Sequence, residues 1–412
     1  MIPTIIKLEP HKQQPAFTEF VVIISLMMAL TALSIDAMLP ALPQIADDLG
    51  ARNTNDRQLV VSTIFLGLAV GQLFFGPLSD KTGRKPAIYM GYAVYIVGSL
   101  LSFFALSFPV MLAGRLLQGI GLSAPRAVTL ALVRDRYQGR MMARVMSFVM
   151  TVFILVPALA PSLGQAIMGF AGWRGIFAGF VTIALITLVW FGWRMPETLA
   201  PENRAPFTLA RIGRATATIF KNRTTLGYTI SAGLVGGAFL GYLNSAQQIF
   251  QDQYALGELF PVIFGTISIS IGLASFVNAR LVMRFGMRFL VRFSLSVIIM
   301  LALVTLVIAL LTAGQPPLWL VMTYLMLTFF MIGILFGNQN ALAMEPLGRL
   351  AGMGAAVVGS LSTLIQMPLG TLIGQSYNGT IFPLLIGIAV LSTVSLFVVR
   401  WADLEPAVPS YV

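Results

Sequence analysis

Twelve stretches of about 20 predominantly apolar residues follow one another along this chain, at roughly 17–39, 58–79, 87–107, 109–133, 145–168, 175–194, 226–250, 260–281, 290–312, 318–342, 353–377 and 380–400. At 1.5 Å per residue such a stretch matches the hydrocarbon core of a bilayer, about 30 Å thick. A lipid-embedded backbone must satisfy its own hydrogen bonds, and apolar runs of this length do so as α-helices. The chain therefore reads as an all-α integral membrane protein of 412 residues. Only 10% of its residues are charged, against about 25% in soluble domains. The first stretch is flanked by Pro15 and Glu19 and lacks a small-residue cleavage site, so it reads as a retained span and not a signal peptide.

The connections are short except for 195–223, a polar stretch holding Pro196, Pro201 and Pro206. It divides the chain into a segment 1–16, a six-helix half at 17–194, the linker 195–223, a second six-helix half at 224–400 and a tail at 401–412. Six plus six is the pattern expected of a duplicated transporter. Lys and Arg set the orientation. With both termini inside, 21 of the 26 basic residues fall in inner segments and only Arg52, Arg57 and Arg174 in outer loops. Arg115 and Arg126 fall within spans. The net charge of +11 is thus a topology signal and does not point to nucleic acid. Zero Cys excludes disulfides and thiol chemistry, and a lone His11 in a polar stretch argues against a His-based metal site or triad. No nucleophile–base or metal constellation exists for an enzyme, and no cofactor or metal is implied.

Between spans 2 and 3 the chain reads Gly76-Pro77-Leu78-Ser79-Asp80-Lys81-Thr82-Gly83-Arg84-Lys85-Pro86. The glycines permit a tight turn, and Asp80 with Arg84 can form an ion pair that holds one conformation closed. This string resembles the signature loop of the major facilitator superfamily, with Lys81 in place of the usual Arg. By that resemblance Asp135, at the inner end of span 4, joins Asp80 and Arg84 in a charge relay; otherwise it offsets the neighbouring arginines. The corresponding loop between spans 8 and 9 keeps Gly286 and its basic residues but has Met283 where an acid would align. Any charge latch is therefore expected mainly in the N-terminal half.

Ionisable residues inside the bilayer are costly and count as functional candidates. Asp36, in Ser34-Ile35-Asp36-Ala37-Met38-Leu39-Pro40-Ala41-Leu42-Pro43, is the only acid well inside a span; it lies about 5 Å below the outer end, unless it caps the outer loop from the interface. Arg115 in span 4 lies about 9 Å deep and needs a counter-charge, water or backbone carbonyls. Asp36 is the acid available at that depth, which predicts a pair or a shared water network. The string around Asp36 resembles the first-span motif of drug:proton antiporters, and the Bcr/CflA multidrug efflux group in particular. Gly114-Arg115-Leu116-Leu117-Gln118-Gly119-Ile120-Gly121 resembles the superfamily motif whose Arg is implicated in proton transfer. Pro157, Pro161 and Gly164 in span 5 predict a kinked, small-faced helix and resemble, with departures at Ala160 and Gln165, its antiporter motif. Asn244 and Gln247 in span 7 either line a polar cavity or cross-link helices. Asn338 in span 10 is a cavity candidate, and so is Arg126, which otherwise snorkels inward.

The resemblance implies two pseudo-symmetric six-helix bundles around a central cavity and alternating access. It further implies proton-coupled export of small amphipathic compounds, drugs of the bicyclomycin, chloramphenicol or sulfonamide kind, by a bacterial inner-membrane protein. The expected partners are a small-molecule substrate, protons and the lipid bilayer, with no nucleic acid and the monomer as the working unit. A second reading keeps the fold and makes the cargo a sugar, amino acid or siderophore taken up as a metabolite.

Overall fold

The structure, a computed structural model, describes residues 15–404; Lys7, His11 and Lys12, with the rest of 1–14, and 405–412 lie outside the described residues. The described chain is a succession of long helices. Span 1 covers Phe17–Asp36, span 2 Leu59–Thr82, span 3 Arg84–Phe103 and span 4 Phe108–Arg136. Spans 5 and 6 share one helix, Gly139–Arg194. In the second half, span 7 is Arg223–Gln247, span 8 Phe260–Phe285, span 9 Met287–Leu311, span 10 Leu318–Met344, span 11 Ala351–Gln375 and span 12 Phe382–Ala402.

Local chemistry sets most of these limits. Pro109, Pro261 and Pro383 stand in the first turns of spans 4, 8 and 12, where a missing N–H leaves no bond unmade. Gly83 and Gly286 take positive φ, +105° and +76°, so each half turns a corner between two helices at the same place. Spans 5 and 6 differ from the expected helix–loop–helix: inside the 56-residue helix, past its first residue, only Gly172 leaves helical geometry (φ 64°, ψ −177°). Fifty-six residues at 1.5 Å each are about twice the thickness of a membrane, so one glycine performs the work of a loop. Two further departures concern connections. Span 1 is followed by a 3₁₀ turn, Leu39–Ala41, and a short helix, Leu42–Asp48, and the linker contains a helix, Leu209–Lys221.

Small residues let the helices meet closely, as they must where lipid removes the hydrophobic drive for association. A Cβ on Gly119 would stand 2.1 Å from the Ile64 carbonyl oxygen, and one on Gly98 2.7 Å from that of Gly114. Spans 2, 3 and 4 are thereby locked together. The halves meet along span 2 against span 11 and span 5 against span 8. Ser360 of span 11 donates to the Ala69 carbonyl of span 2 at 2.7 Å. The result is two six-helix bundles. One face of the molecule carries the loops around Gly83, Tyr137 and Gly286 and the linker, and is called here the basic face.

Candidate functional site

Asp36 is the last residue of span 1 and is 5% exposed. The residues that follow it, Ala37 to Leu42, are themselves buried, so they cover the carboxylate on the side away from the basic face. Among the described residues Asp36 has no ion pair or hydrogen bond to its carboxylate. The hydroxyl of Tyr242, from span 7 of the other half, lies within its electrostatic range and is itself buried without a hydrogen-bond partner. A carboxylate and a phenol that both lack hydrogen-bond partners among the described residues thus lie near each other, one from each bundle. On the third side, a Cβ at Gly164 would come within 1.9 Å of the Ala37 carbonyl oxygen, so span 5 fits there only as glycine.

Arg115 does not pair with Asp36. It is fully buried and donates from Nε to the Val60 carbonyl (2.9 Å), from Nη2 to the Ser34 carbonyl (2.8 Å) and from Nη1 to Gln118 Oε1 (2.7 Å). Gln118 donates onward to Ser99 (2.8 Å), and Ser34 shares a 2.7 Å bond with the Tyr95 hydroxyl. The guanidinium therefore satisfies its fork of donors on backbone and amide oxygens of spans 1, 2 and 4. The expected ion pair is replaced by a network that reaches span 1 two residues before Asp36. Depth alone identified Arg115, but no sequence signal announces which carbonyls a fold will leave free.

Of the three amides named as cavity or cross-linking candidates, Asn244 and Asn338 are cross-links in this conformation, and Gln247 bonds within its own helical segment. Asn244, 1% exposed, donates to Ser62 Oγ (3.0 Å) and the Gly370 carbonyl (3.1 Å), joining span 7 to spans 2 and 11. Gln247 donates to Gln251 and Asp252. Asn338 donates to Asn278 Oδ1 at 2.8 Å, tying span 10 to span 8. Arg126 behaves differently: it is exposed although it lies deep in span 4, and no partner is found for it among the described residues. The sequence reading also missed an aromatic cluster. Phe239 stands 5.7 Å from Phe329 and 5.8 Å from Phe336, and Tyr242 4.6 Å from Phe329, with Phe264 stacked on Tyr242 at 5.8 Å. Spans 7, 8 and 10 so build a π-rich wall that ends at the hydroxyl near Asp36.

On the basic face, Arg84 Nη1 meets Asp80 at 2.6 Å and Nε meets Asp135 at 2.9 Å, so the three residues named from sequence stand together. Gly76 abuts Ala356 of span 11, whose Cβ is 3.1 Å from where a Cβ on Gly76 would be. Glu197, at the start of the linker, was not foreseen. Its carboxylate accepts from the backbone N–H of Arg84 (2.8 Å) and Lys85 (3.0 Å). An acid at the N-terminus of span 3 meets two of the N–H groups no helix can satisfy itself. Thr198 adds a bond to Asp135 at 3.0 Å, so the linker clamps the relay. Any charge latch was expected mainly in the first half because Met283 replaces the acid in the second, and Met283 is 87% exposed. The acid comes instead from the end of span 12. Asp403 lies 3.7 Å from Arg288 and 3.8 Å from Arg292 and accepts from the Tyr228 hydroxyl at 2.8 Å. The expectation of a one-sided charge cluster is therefore corrected.

The opposite face is sewn shut between the halves. Asn55 donates to the carbonyls of Gln375 and Tyr377, both at 2.9 Å, and Gln375 donates back to the Asn55 carbonyl at 2.8 Å. Gln248 donates to Asn55 Oδ1 at 2.7 Å, Gln58 bonds Gln248, and Arg57 pairs with Asp252. Tyr377 donates to the Gln248 carbonyl at 3.3 Å. Burial, reinforced by the Asp252 carboxylate and opposed by Arg57, pushes its phenol up to about 12, so it stays a donor throughout the physiological range. Among the described residues, hydrogen bonds between the halves lie at this seam, at its margin from Gln165 to the Glu258 carbonyl, just inside it from Asn244 to Ser62, and at Ser360; none joins them at the basic face.

Two bundles of membrane-length helices joined across a polar seam, with a buried acid that has no partner among the described residues near their meeting, define a membrane transporter. Residues 24–367 match the Major Facilitator Superfamily, and the chain belongs to that family. It is similar to an uncharacterised MFS-type transporter, YdgK, of Bacillus subtilis: 29% identical, over 85% of this chain and 87% of that one. It is 27% identical to a bicyclomycin resistance protein homolog of Haemophilus influenzae, over 93% and 96% of the two chains. Its fold resembles the human organic anion transporter MFSD10 (TETRAN), with a TM-score of 0.70 at 17% identity, covering 94% of this chain and 100% of that one.

Proposed function

We propose that this protein is a proton-coupled exporter of small amphipathic compounds, acting by alternating access from the cytoplasmic membrane of a bacterium. The reading places both termini and the basic face in the cytoplasm, in keeping with the arginine-rich loops there, and takes the halves 17–194 and 224–400 as the rocking units and the monomer as the working molecule. Its relative named for bicyclomycin resistance supports drugs as the cargo. The observation that carries the coupling is Asp36, a buried carboxylate without a partner, held where the two bundles meet.

In this cycle the seam of Asn55, Arg57 and Gln248 opens, Asp36 takes a proton from outside as substrate departs, and closing returns it to the conformation described. Release of that proton to the cytoplasmic side readies the carboxylate for the next substrate. Substrate and proton compete for one state, and that competition makes the exchange obligatory. Arg115 carries no counter-charge to Asp36; it fixes the end of span 1 through Ser34. The cluster of Asp80, Arg84, Asp135 and Glu197 sets how the basic face closes, and Gly164 with Pro157 and Pro161 lets span 5 approach span 1.

The test is proton release when candidate compounds are added to the detergent-solubilised protein, for wild type and Asp36→Asn. Release in wild type that vanishes in the variant is expected. Substrate binding without release in either form would overturn proton exchange and favour facilitated or uptake transport.

A further inference from the structure

Arg126 lies deep in span 4, and the cycle above leaves its charge without a task. It follows Arg115 by eleven residues in span 4, about three turns, so the two side chains leave the helix within about 20° of each other and about 16 Å apart along it. Arg115 looks between span 1 and span 2, at Ser34 and Val60, and Arg126 therefore looks the same way, nearer the basic face. The lipid side of span 4 is elsewhere: Pro109, Val110 and Ala113 are exposed on bearings at least 120° from that of Arg115. Yet Arg126 is itself exposed. Solvent thus reaches it from between the bundles, on the side where no hydrogen bond joins the halves.

The aromatic wall of the other half reaches the same depth. Eighteen residues separate Arg126 from Phe108 at the start of span 4, and eighteen separate Phe336 from Leu318 at the start of span 10. Both helices start at the sealed face, so the two side chains stand at one depth, about 27 Å in. Phe336 is 37% exposed and rests on Phe239 at a ring distance of 5.8 Å. A guanidinium at membrane depth is costly; Arg115 meets that cost with protein oxygens, and Arg126, which has none of these among the described residues, needs water or a counter-ion. Its planar fork suits a two-oxygen anion, while its charge repels a cation at the same place.

We propose that Arg126 makes this transporter select amphipathic compounds with an anionic group, a carboxylate or sulfonate, over neutral and cationic ones. The guanidinium meets the anion, and Phe239 and Phe336 meet the apolar body. Specificity is a difference of affinities, so the assignment is read from a matched pair of ligands. It rests on the export reading, whose substrate class it narrows.

The pair is nalidixic acid, an aromatic carboxylate at neutral pH, and its uncharged primary carboxamide, tested on the purified full chain by equilibrium dialysis. Wild type is expected to bind the acid at least tenfold more tightly than the amide. Arg126→Gln is expected to cut that ratio at least tenfold, and Arg126→Lys to keep most of it. A wild-type ratio of one or less overturns the proposal even if no variant folds, and so does an unchanged ratio in Arg126→Gln. Inside-out vesicles with an imposed proton gradient separate the two readings. Acid preference in binding with no gradient-driven uptake of either compound overturns export alone; uptake without acid preference overturns the selectivity alone.

Discussion

Arg115 reaches three acceptors on three different helices or turns, and no other side chain offers that geometry. Arg115→Lys keeps the charge but replaces the planar fork with a single ammonium, leaving at least one of Val60, Ser34 and Gln118 unserved. Each lost bond to a charged donor is worth about 1.5–3 kcal/mol. The variant should unfold in detergent at a clearly lower temperature than wild type, and transport should fall with it, as a thermal-melt series with parallel uptake assays would check. Gly164→Ala is a sharper test, because its added methyl would stand 1.9 Å from the Ala37 carbonyl oxygen. Overpacking costs about 1–3 kcal/mol, and here it also pushes on the residue beside Asp36; gradient-driven transport is expected to drop at least tenfold, whereas Gly169→Ala, which meets nothing within 4 Å, should behave as wild type. At this scale the sequence was informative about which residues are expensive to bury and silent about what they touch. Depth in a span singled out Asp36, Arg115 and Arg126. That Arg115 would choose carbonyls over Asp36 depends on where spans 1 and 2 pass, which is a property of the packed bundle.

The ends of helices carry more of the design than their interiors. Glu197 caps span 3 from a position 113 residues away from Arg84, and Asp403 completes a cluster whose basic members sit in span 9. Glu197→Ala leaves the first N–H groups of span 3 without their acceptor, a loss of about 1 kcal/mol; protection of the Arg84 and Lys85 amides from hydrogen exchange should fall while amides of span 4 stay as they were. Asp403→Asn removes the one acid that, among the described residues, pairs with Arg288 and Arg292, and like charges then face each other. Proteolysis at the loop between spans 8 and 9 should become faster in that variant, with the loop between spans 2 and 3 unaffected. Spans, linker and the motif around Gly83 were legible because hydropathy and turn chemistry are local. The missing loop between spans 5 and 6 was not, since a single glycine at positive φ leaves no more trace than any other glycine. Met283 invited the conclusion that any latch lies mainly in the first half because alignment compares like positions, whereas Asp403 arrives from another helix.

For the molecule as a whole, the proposed cycle requires the seam between Asn55, Arg57, Gln248, Asp252, Gln375 and Tyr377 to part. The Asn55 side chain touches the Tyr377 backbone carbonyl at 2.9 Å, so Asn55→Cys with Tyr377→Cys sets two thiols on neighbouring segments across the seam, in a chain that contains no other Cys. Oxidation should join the halves and stop transport, and reduction should restore it; transport that continues in the fully oxidised protein would show that the seam need not part. Arg57→Ala should leave Asp252 uncompensated and raise the fraction of molecules open at that face, measurable as faster labelling of a thiol placed at Ser62. The seam has a further consequence in its chemistry. Its fastenings are amides, carbonyls, a phenol and one ion pair, groups for which water is nearly as good a partner. As the edges part, solvent can replace each fastening in turn, so the opening resembles a zip more than the breaking of a glued joint. No greasy strip is then left facing the wet side, and the open form has nothing with which to stick to its neighbours.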